Sequence, residues 1–237
     1  MKLNALLSKV LLIAIASAAL PASAALEGIL LAPQNGQPAK HLAVLLHGYG
    51  SNEQDLLPLS DALASDYAVL SLRAPQTLGG DRYAWYREGK DESQDIDRAR
   101  EEVVERIHQI QRQLGVAPSA TLVAGFSQGA VMSWSIVLQS PTVVGGAAIF
   151  SGRLPANLPA QPLPVSATTL PNMFVGHGQV DNRIAMPREE QAVAVAKQRG
   201  YRVSFHRYAT LGHGISSQEL KDFSLWSAGL NARTPSS

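Results

Sequence analysis

Gly125-Phe126-Ser127-Gln128-Gly129 is the stretch on which the fold turns, a G-x-S-x-G pattern whose surroundings carry more than its five letters. Ahead of it, Ala120-Thr121-Leu122-Val123-Ala124 is a short apolar run with two β-favouring residues, and it reads as a buried strand. Behind it, residues 130–138 are apolar nearly all round and long enough for a buried helix. A chain that passes from strand to helix in so few residues forces the turn residue into a strained conformation. Flanking glycines let strand and helix approach, and the serine hydroxyl is raised above the sheet. A helix that starts at Gln128 brings free N–H groups and a positive dipole end beside that hydroxyl. The plainer reading, an N-capping serine in a Gly-rich turn, is outweighed by this context. Ser127 is the expected nucleophile.

Outward from this turn, strands and helices alternate. Residues 26–32 read as an edge strand, 41–46 as a central strand, 55–64 as a helix and 67–72 as a further strand. A polar and aromatic loop through Trp85 and Tyr86 leads to a helix over 93–114. There Ile96, Val103, Val104, Ile107, Ile110 and Leu114 fall on one face and the charges on a solvated one. Strands are expected at 143–150, 172–175 and 201–208. Helices are expected at 187–199 and, capped by Ser216, from there to about residue 229. The segment 153–171 holds five prolines and reads as a connecting surface loop. Such alternation predicts an α/β fold with a mostly parallel central sheet, helices on both faces and active groups at the carboxyl ends of the strands.

A serine hydroxyl attacks only once a base takes its proton, and the base must be held in the right tautomer by an acid. Just past the strand at 172–175 stands Asp181. Just past the strand at 201–208 stands His213, between two glycines. Their order after Ser127 suits a Ser–Asp–His triad. Glu189, Glu190 and Asp222 fall within helices and are set aside as competing acids. His47 and His177 each end a strand before a glycine and are expected to support the site through backbone hydrogen bonds. A metal site built from His47, His177 and Asp181 would leave the serine turn without a purpose, so neither metal nor cofactor is expected. The backbone N–H groups of Gln128 and Tyr49 are the expected oxyanion donors.

The chain has 237 residues, enough for one well-filled domain. Lys2 and Lys9, an apolar run over 10–20 and an Ala-x-Ala arrangement at 22–24 predict a signal peptide over residues 1–24, cleaved near Ala24. The run is shorter than the about 20 residues a membrane span needs, so no stable anchor is expected and the address is periplasmic or secreted. The catalytic domain is then 25–230, with 231–237 a disordered tail. Loss of the leader's two lysines moves the formal charge from +1 to −1 without leaving a like-charged run, which argues against nucleic acid as a partner. There is no cysteine, so a thiol nucleophile and a thiolate metal site are excluded. The oligomeric state is left open between monomer and homodimer.

With these residues assembled, the chain resembles the phospholipase/carboxylesterase family of α/β-hydrolases, which includes acyl-protein thioesterases. The likeness is carried by Leu46-His47-Gly48-Tyr49-Gly50 with Glu53, Asp55, Leu56 and Leu57, and by Arg73-Ala74-Pro75 and Trp85-Tyr86. It is carried further by Gly125-Phe126-Ser127-Gln128-Gly129-Ala130, Ser151-Gly152-Arg153-Leu154-Pro155, and the turns holding Asp181 and His213. The resemblance implies an α/β-hydrolase fold without a large lid domain, a triad of Ser127, Asp181 and His213, and an oxyanion hole at Tyr49 and Gln128. It also implies a shallow acyl groove, for which Leu56, Leu57, Leu78, Trp85, Tyr86, Phe126 and Ile215 are the expected apolar wall. The activity it implies is hydrolysis of small to medium acyl carboxylic esters, with thioesterase, lysophospholipase and a non-catalytic binding protein as alternatives. The chain departs from the family at Asn182-Arg183-Ile184, where hydrophobic residues usually follow the acid, and in its leader.

Overall fold

A computed structural model of the chain describes residues 26–155, 158 and 169–231. The expected leader, most of the proline-rich segment and residues 232–237 lie outside the described residues. In chain order the strands are β1 (Gly28–Leu31), β2 (His41–Leu46), β3 (Tyr67–Leu72), β4 (Gln76–Thr77), β5 (Tyr83–Ala84), β6 (Thr121–Phe126), β7 (Gly146–Phe150), β8 (Asn172–Gly178) and β9 (Val203–Tyr208). The helices are α1 (Glu92–Leu114), α2 (Gln128–Gln139), α3 (Met186–Gln198) and α4 (Ser217–Asn231). Seven strands form one sheet in the order β1-β3-β2-β6-β7-β8-β9, parallel throughout except for the antiparallel edge strand β1. The expected mostly parallel sheet is therefore present.

Alternation along each strand divides the core between two faces. In β2, Leu42, Val44 and Leu46 join a cluster that contains Ile96, Val103 and Ile107 of α1, Val131 and Ile136 of α2, and Ala192 and Ala196 of α3. The intervening Ala43 and Leu45 join a second cluster with Phe223 of α4 and Leu59. Helices thus cover both faces. α2 is buried on almost every side because it lies between the sheet and α1, which explains its lack of a polar stripe.

Three local expectations differ from the structure. The segment 55–64 is not an α-helix but a 3-10 turn over Leu57–Ala62. Leu56 at its N-cap offers no side-chain acceptor, and i to i+3 bonds such as Leu59 N–H to the Leu56 carbonyl close the turn instead. The segment after β3 is not wholly irregular, since β4 and β5 pair as a short hairpin closed by Leu78 N–H on the Arg82 carbonyl at 2.8 Å. α4 runs to Asn231, which belongs to the helix and not to a tail. Among the described residues no helix is long and apolar enough to cross a membrane.

Candidate active site

β6 and α2 meet at Ser127, whose φ of 54° and ψ of −114° lie outside the regions that L-residues favour. Close packing holds it there. A Cβ at Gly125 would strike the carbonyl of Gly129, and one at Gly129 would strike the carbonyl of Leu46. The amide of Ser127 donates to the Phe150 carbonyl at 3.0 Å, and its own carbonyl accepts from Val131 at 3.1 Å. A strained residue persists only when its neighbours over-determine it, and here strand, helix and adjacent strand all do.

Two loops bring the expected base and acid to this turn. Nε2 of His213 lies 2.9 Å from Ser127 Oγ, and Nδ1 lies 2.8 Å from Asp181 Oδ2. Asp181 accepts at Oδ1 from the amides of Arg183 (2.8 Å) and Ile184 (2.9 Å), so both oxygens are engaged. Burial would raise its carboxyl, but the hydrogen bonds from His213, Ile184 and Arg183 outweigh it and hold the group below the usual carboxylate range. An ionised Asp181 accepts only, so Nδ1 of His213 carries the proton and Nε2 is left to accept from the serine hydroxyl.

The loop after β2 is braced by the residues around it. His47 donates from Nδ1 to the Gly48 carbonyl at 2.7 Å and accepts at Nε2 from the Ala74 amide at 3.1 Å. Burial lowers its pKa, in keeping with a neutral ring that both donates and accepts. Arg73 binds Glu53 through Nε at 2.7 Å and a terminal nitrogen at 2.5 Å, so two of the separate sequence signatures are one bidentate ion pair. That bond to Arg73 holds Glu53 below its ordinary value. The Gln128 side chain accepts from the Trp85 amide at 2.8 Å and donates to the Tyr86 carbonyl at 2.9 Å. Its backbone amide, in the first turn of α2, has no partner within the helix. Tyr49 and Gln128, the expected oxyanion donors, both line the cavity that holds Ser127 and His213.

That cavity has a volume of about 1190 Å³. Leu78, Tyr86 and Phe126 line it as expected, joined by Val131, Val180 and Ile184. Leu56 and Trp85 do not. Both are packed into the core, and the Trp85 indole donates to the His47 carbonyl at 2.8 Å, which makes it a strut beneath the site and not a wall. Leu57 and Ile215 are also absent from the wall, and Ile215 packs instead against the core cluster that holds Phe150 and Phe174. Charged groups take their place: Arg87, Glu88, Glu92, Arg153, Arg183 and Arg188 reach the same cavity. Arg153 pairs with Glu92 at 3.0 Å, and Arg87 binds Asp95 at 2.8 Å.

Glu189, on α3, is more than a solvated helix residue. The structure buries it completely behind Asp181, where it accepts from Trp134 Nε1 at 3.0 Å and from the Gly152 amide at 2.6 Å, and meets His177 Nδ1 at 3.0 Å. A signal was present: 189, 192, 193 and 196 are the buried positions of α3, and their spacing alone points Glu189 inward. His177, expected as a support, donates from Nε2 to the Ile184 carbonyl at 2.8 Å. Burial lowers the imidazole's pKa, but the bond and charge of Glu189 outweigh it and the net shift is upward. Burial likewise raises Glu189, so the pair retains a proton between its members.

The Phospholipase/Carboxylesterase family profile matches residues 32–226. Carboxylesterase SOBER1 of Arabidopsis thaliana is 32% identical over 130 residues, which cover 53% of this chain and 56% of that protein. Acyl-protein thioesterase 1 of Eremothecium gossypii is 28% identical over 221 residues, covering 84% of this chain and 92% of that protein. The crystal structure of esterase PE8 superposes with a TM-score of 0.76 at 27% identity, over 86% of this chain and 99% of that one. The chain spans about half the length of the plant carboxylesterases it matches.

Proposed function

We propose that this chain, which belongs to the phospholipase/carboxylesterase family of α/β-hydrolases, is a serine carboxylesterase acting on small to medium acyl esters. The observation that carries this reading is the unbroken hydrogen-bonded array from Ser127 Oγ through His213 to Asp181, at 2.9 and 2.8 Å, on a strained strand–helix turn. In the proposed reaction His213 Nε2 takes the hydroxyl proton as Ser127 Oγ adds to the ester carbonyl. The amides of Tyr49 and Gln128 hold the resulting oxyanion. Collapse of the tetrahedral intermediate breaks the bond to the alcohol, which leaves with the proton from His213. Water then repeats the sequence on the acyl-enzyme, releasing the acid and restoring the serine. Asp181 keeps the imidazole in the tautomer that this sequence needs.

Labelling with a fluorophosphonate probe tests for an activated serine and separates an enzyme from a non-catalytic binding protein of the same fold. Ser127→Ala should abolish labelling and lower turnover by at least ~10⁴; ester hydrolysis that survives the change means another nucleophile. The length of the match to an acyl-protein thioesterase favours a second reading, thioester or lysolipid cleavage by the same array. Rates on short esters, acyl-thioesters and lysolipids measured side by side decide between them. An export leader over residues 1–24 puts the substrate outside the cytosol, where lipidated cytosolic proteins and most CoA esters are not met. Cell fractionation with and without those residues tests that address.

A further inference from the structure

Glu189 has three nitrogen neighbours, and each belongs to a different part of the frame behind the array. Trp134 lies on α2, the helix that Ser127 begins. Gly152 follows Ser151, whose φ of 54° makes it the second non-glycine residue in the left-handed region among those described. Ser151 in turn follows Phe150, the carbonyl of which receives the Ser127 amide. His177 lies on β8 and reaches the acid loop twice. Its Nε2 donates to the Ile184 carbonyl, whose residue's amide binds Asp181 Oδ1, and the same nitrogen lies 3.6 Å from Asp181 Oδ2. Burying a carboxyl group is costly unless it is paired and hydrogen-bonded, and an apolar side chain of equal size would leave all three nitrogens without a partner.

We propose that Glu189 is a positioning residue for the Ser127–His213–Asp181 array, acting through His177 on the acid loop and through Gly152 on the strained turn beside the serine. The inference rests on the esterase reading given above. Glu189 never meets substrate. It fixes where the carboxylate of Asp181 and the backbone beneath Ser127 stand, as outer partners of an active group commonly do.

Glu189→Gln replaces one acceptor oxygen by an amide nitrogen, and because Trp134 and Gly152 bond to different oxygens, one of the two loses its acceptor. With the full chain and a p-nitrophenyl ester, kcat should fall about tenfold to a hundredfold while KM stays within about twofold. In an Asp181→Asn background the same change should lower kcat by a clearly smaller factor, because the carboxylate reached through His177 is already lost and only the route through Gly152 remains. An equal loss in both backgrounds, or an undiminished kcat in a variant with the wild-type unfolding transition, overturns the proposal. Should Glu189→Gln fail to fold, His177→Gln, which retains a donor for the Ile184 carbonyl, runs the same cycle with the same two outcomes. A wild-type chain that neither hydrolyses the ester nor takes up a fluorophosphonate removes the esterase reading itself, and this inference with it.

Discussion

The ring of Phe126 packs against the imidazole of His213, with centroids 5.0 Å apart and planes inclined by 40°. Phe126 stands just before Ser127 in the turn, so the strand end that carries Ser127 also supports His213, the proposed base. Contacts of this kind are worth about 0.5–1.5 kcal/mol beyond the area they bury. Phe126→Ala should therefore lower kcat by about tenfold through a looser His213, with Ser127 still open to a small fluorophosphonate. A variant with undiminished kcat and raised KM would show the ring to be acyl wall only.

Gly129 faces a harder constraint. A Cβ there meets the Leu46 carbonyl at the end of the neighbouring strand, and backbone does not yield as a flexible side chain does. Gly129→Ala should lower stability by at least about 2 kcal/mol through overpacking, read from the midpoint of urea denaturation. A midpoint equal to that of the wild type would mean that α2 is not clamped onto β2 as described.

The fold was legible because its signals are local. The apolar run 41–46, the run before Ser127 and the 3.6-residue spacing of α1 each announce one element, and the parallel order follows from their alternation. Asp181 and His213 were legible for the same reason, each standing just beyond a strand end. The wall was not. Whether Leu56 or Trp85 faces a groove or the core depends on how the loop after β2 and the β4–β5 hairpin fold against α2, which involves residues 38 and 43 positions apart. Glu189 was missed because residue type outranked position: its place on the inward stripe of α3 was readable, but a glutamate in a helix is ordinarily solvated.

Acyl preference should follow the charged wall. An extended acyl chain laid along this cavity displaces water from groups such as Arg183 and Arg188 without offering them a partner, and such desolvation is unfavourable. Across a graded series of p-nitrophenyl esters, kcat/KM should be highest for short acyl groups and decline for long ones. Arg183→Leu with Arg188→Leu should flatten the decline. A series that rises steadily with chain length would show that the acyl group avoids this side of the cavity.

Glu219 ties the fold's stability to pH. It is fully buried in the first turn of α4, where Ser216 and Glu219 bond reciprocally as a capping box: Glu219 N–H to Ser216 Oγ at 3.1 Å and Ser216 N–H to Glu219 Oε2 at 3.4 Å. Burial pushes its carboxyl up from 4.5 to about 8, with the charges of Glu189 and Asp222 adding to the rise. The folded chain thus keeps a proton that the unfolded chain releases between pH 4.5 and about 8. In that window the folded state binds the extra proton, so the contribution of Glu219 to stability is complete at low pH and falls as pH rises, by at most about 1.4 kcal/mol per unit. Above pH 8 it falls no further, because both states are then ionised. Glu219→Gln preserves the capping pattern and removes the titration. The unfolding free energy of the variant minus that of the wild type should climb from pH 5 to pH 8 and then level off. A difference that stays constant across that range would mean Glu219 is already ionised in the folded protein, with its charge met by a group other than those now around it.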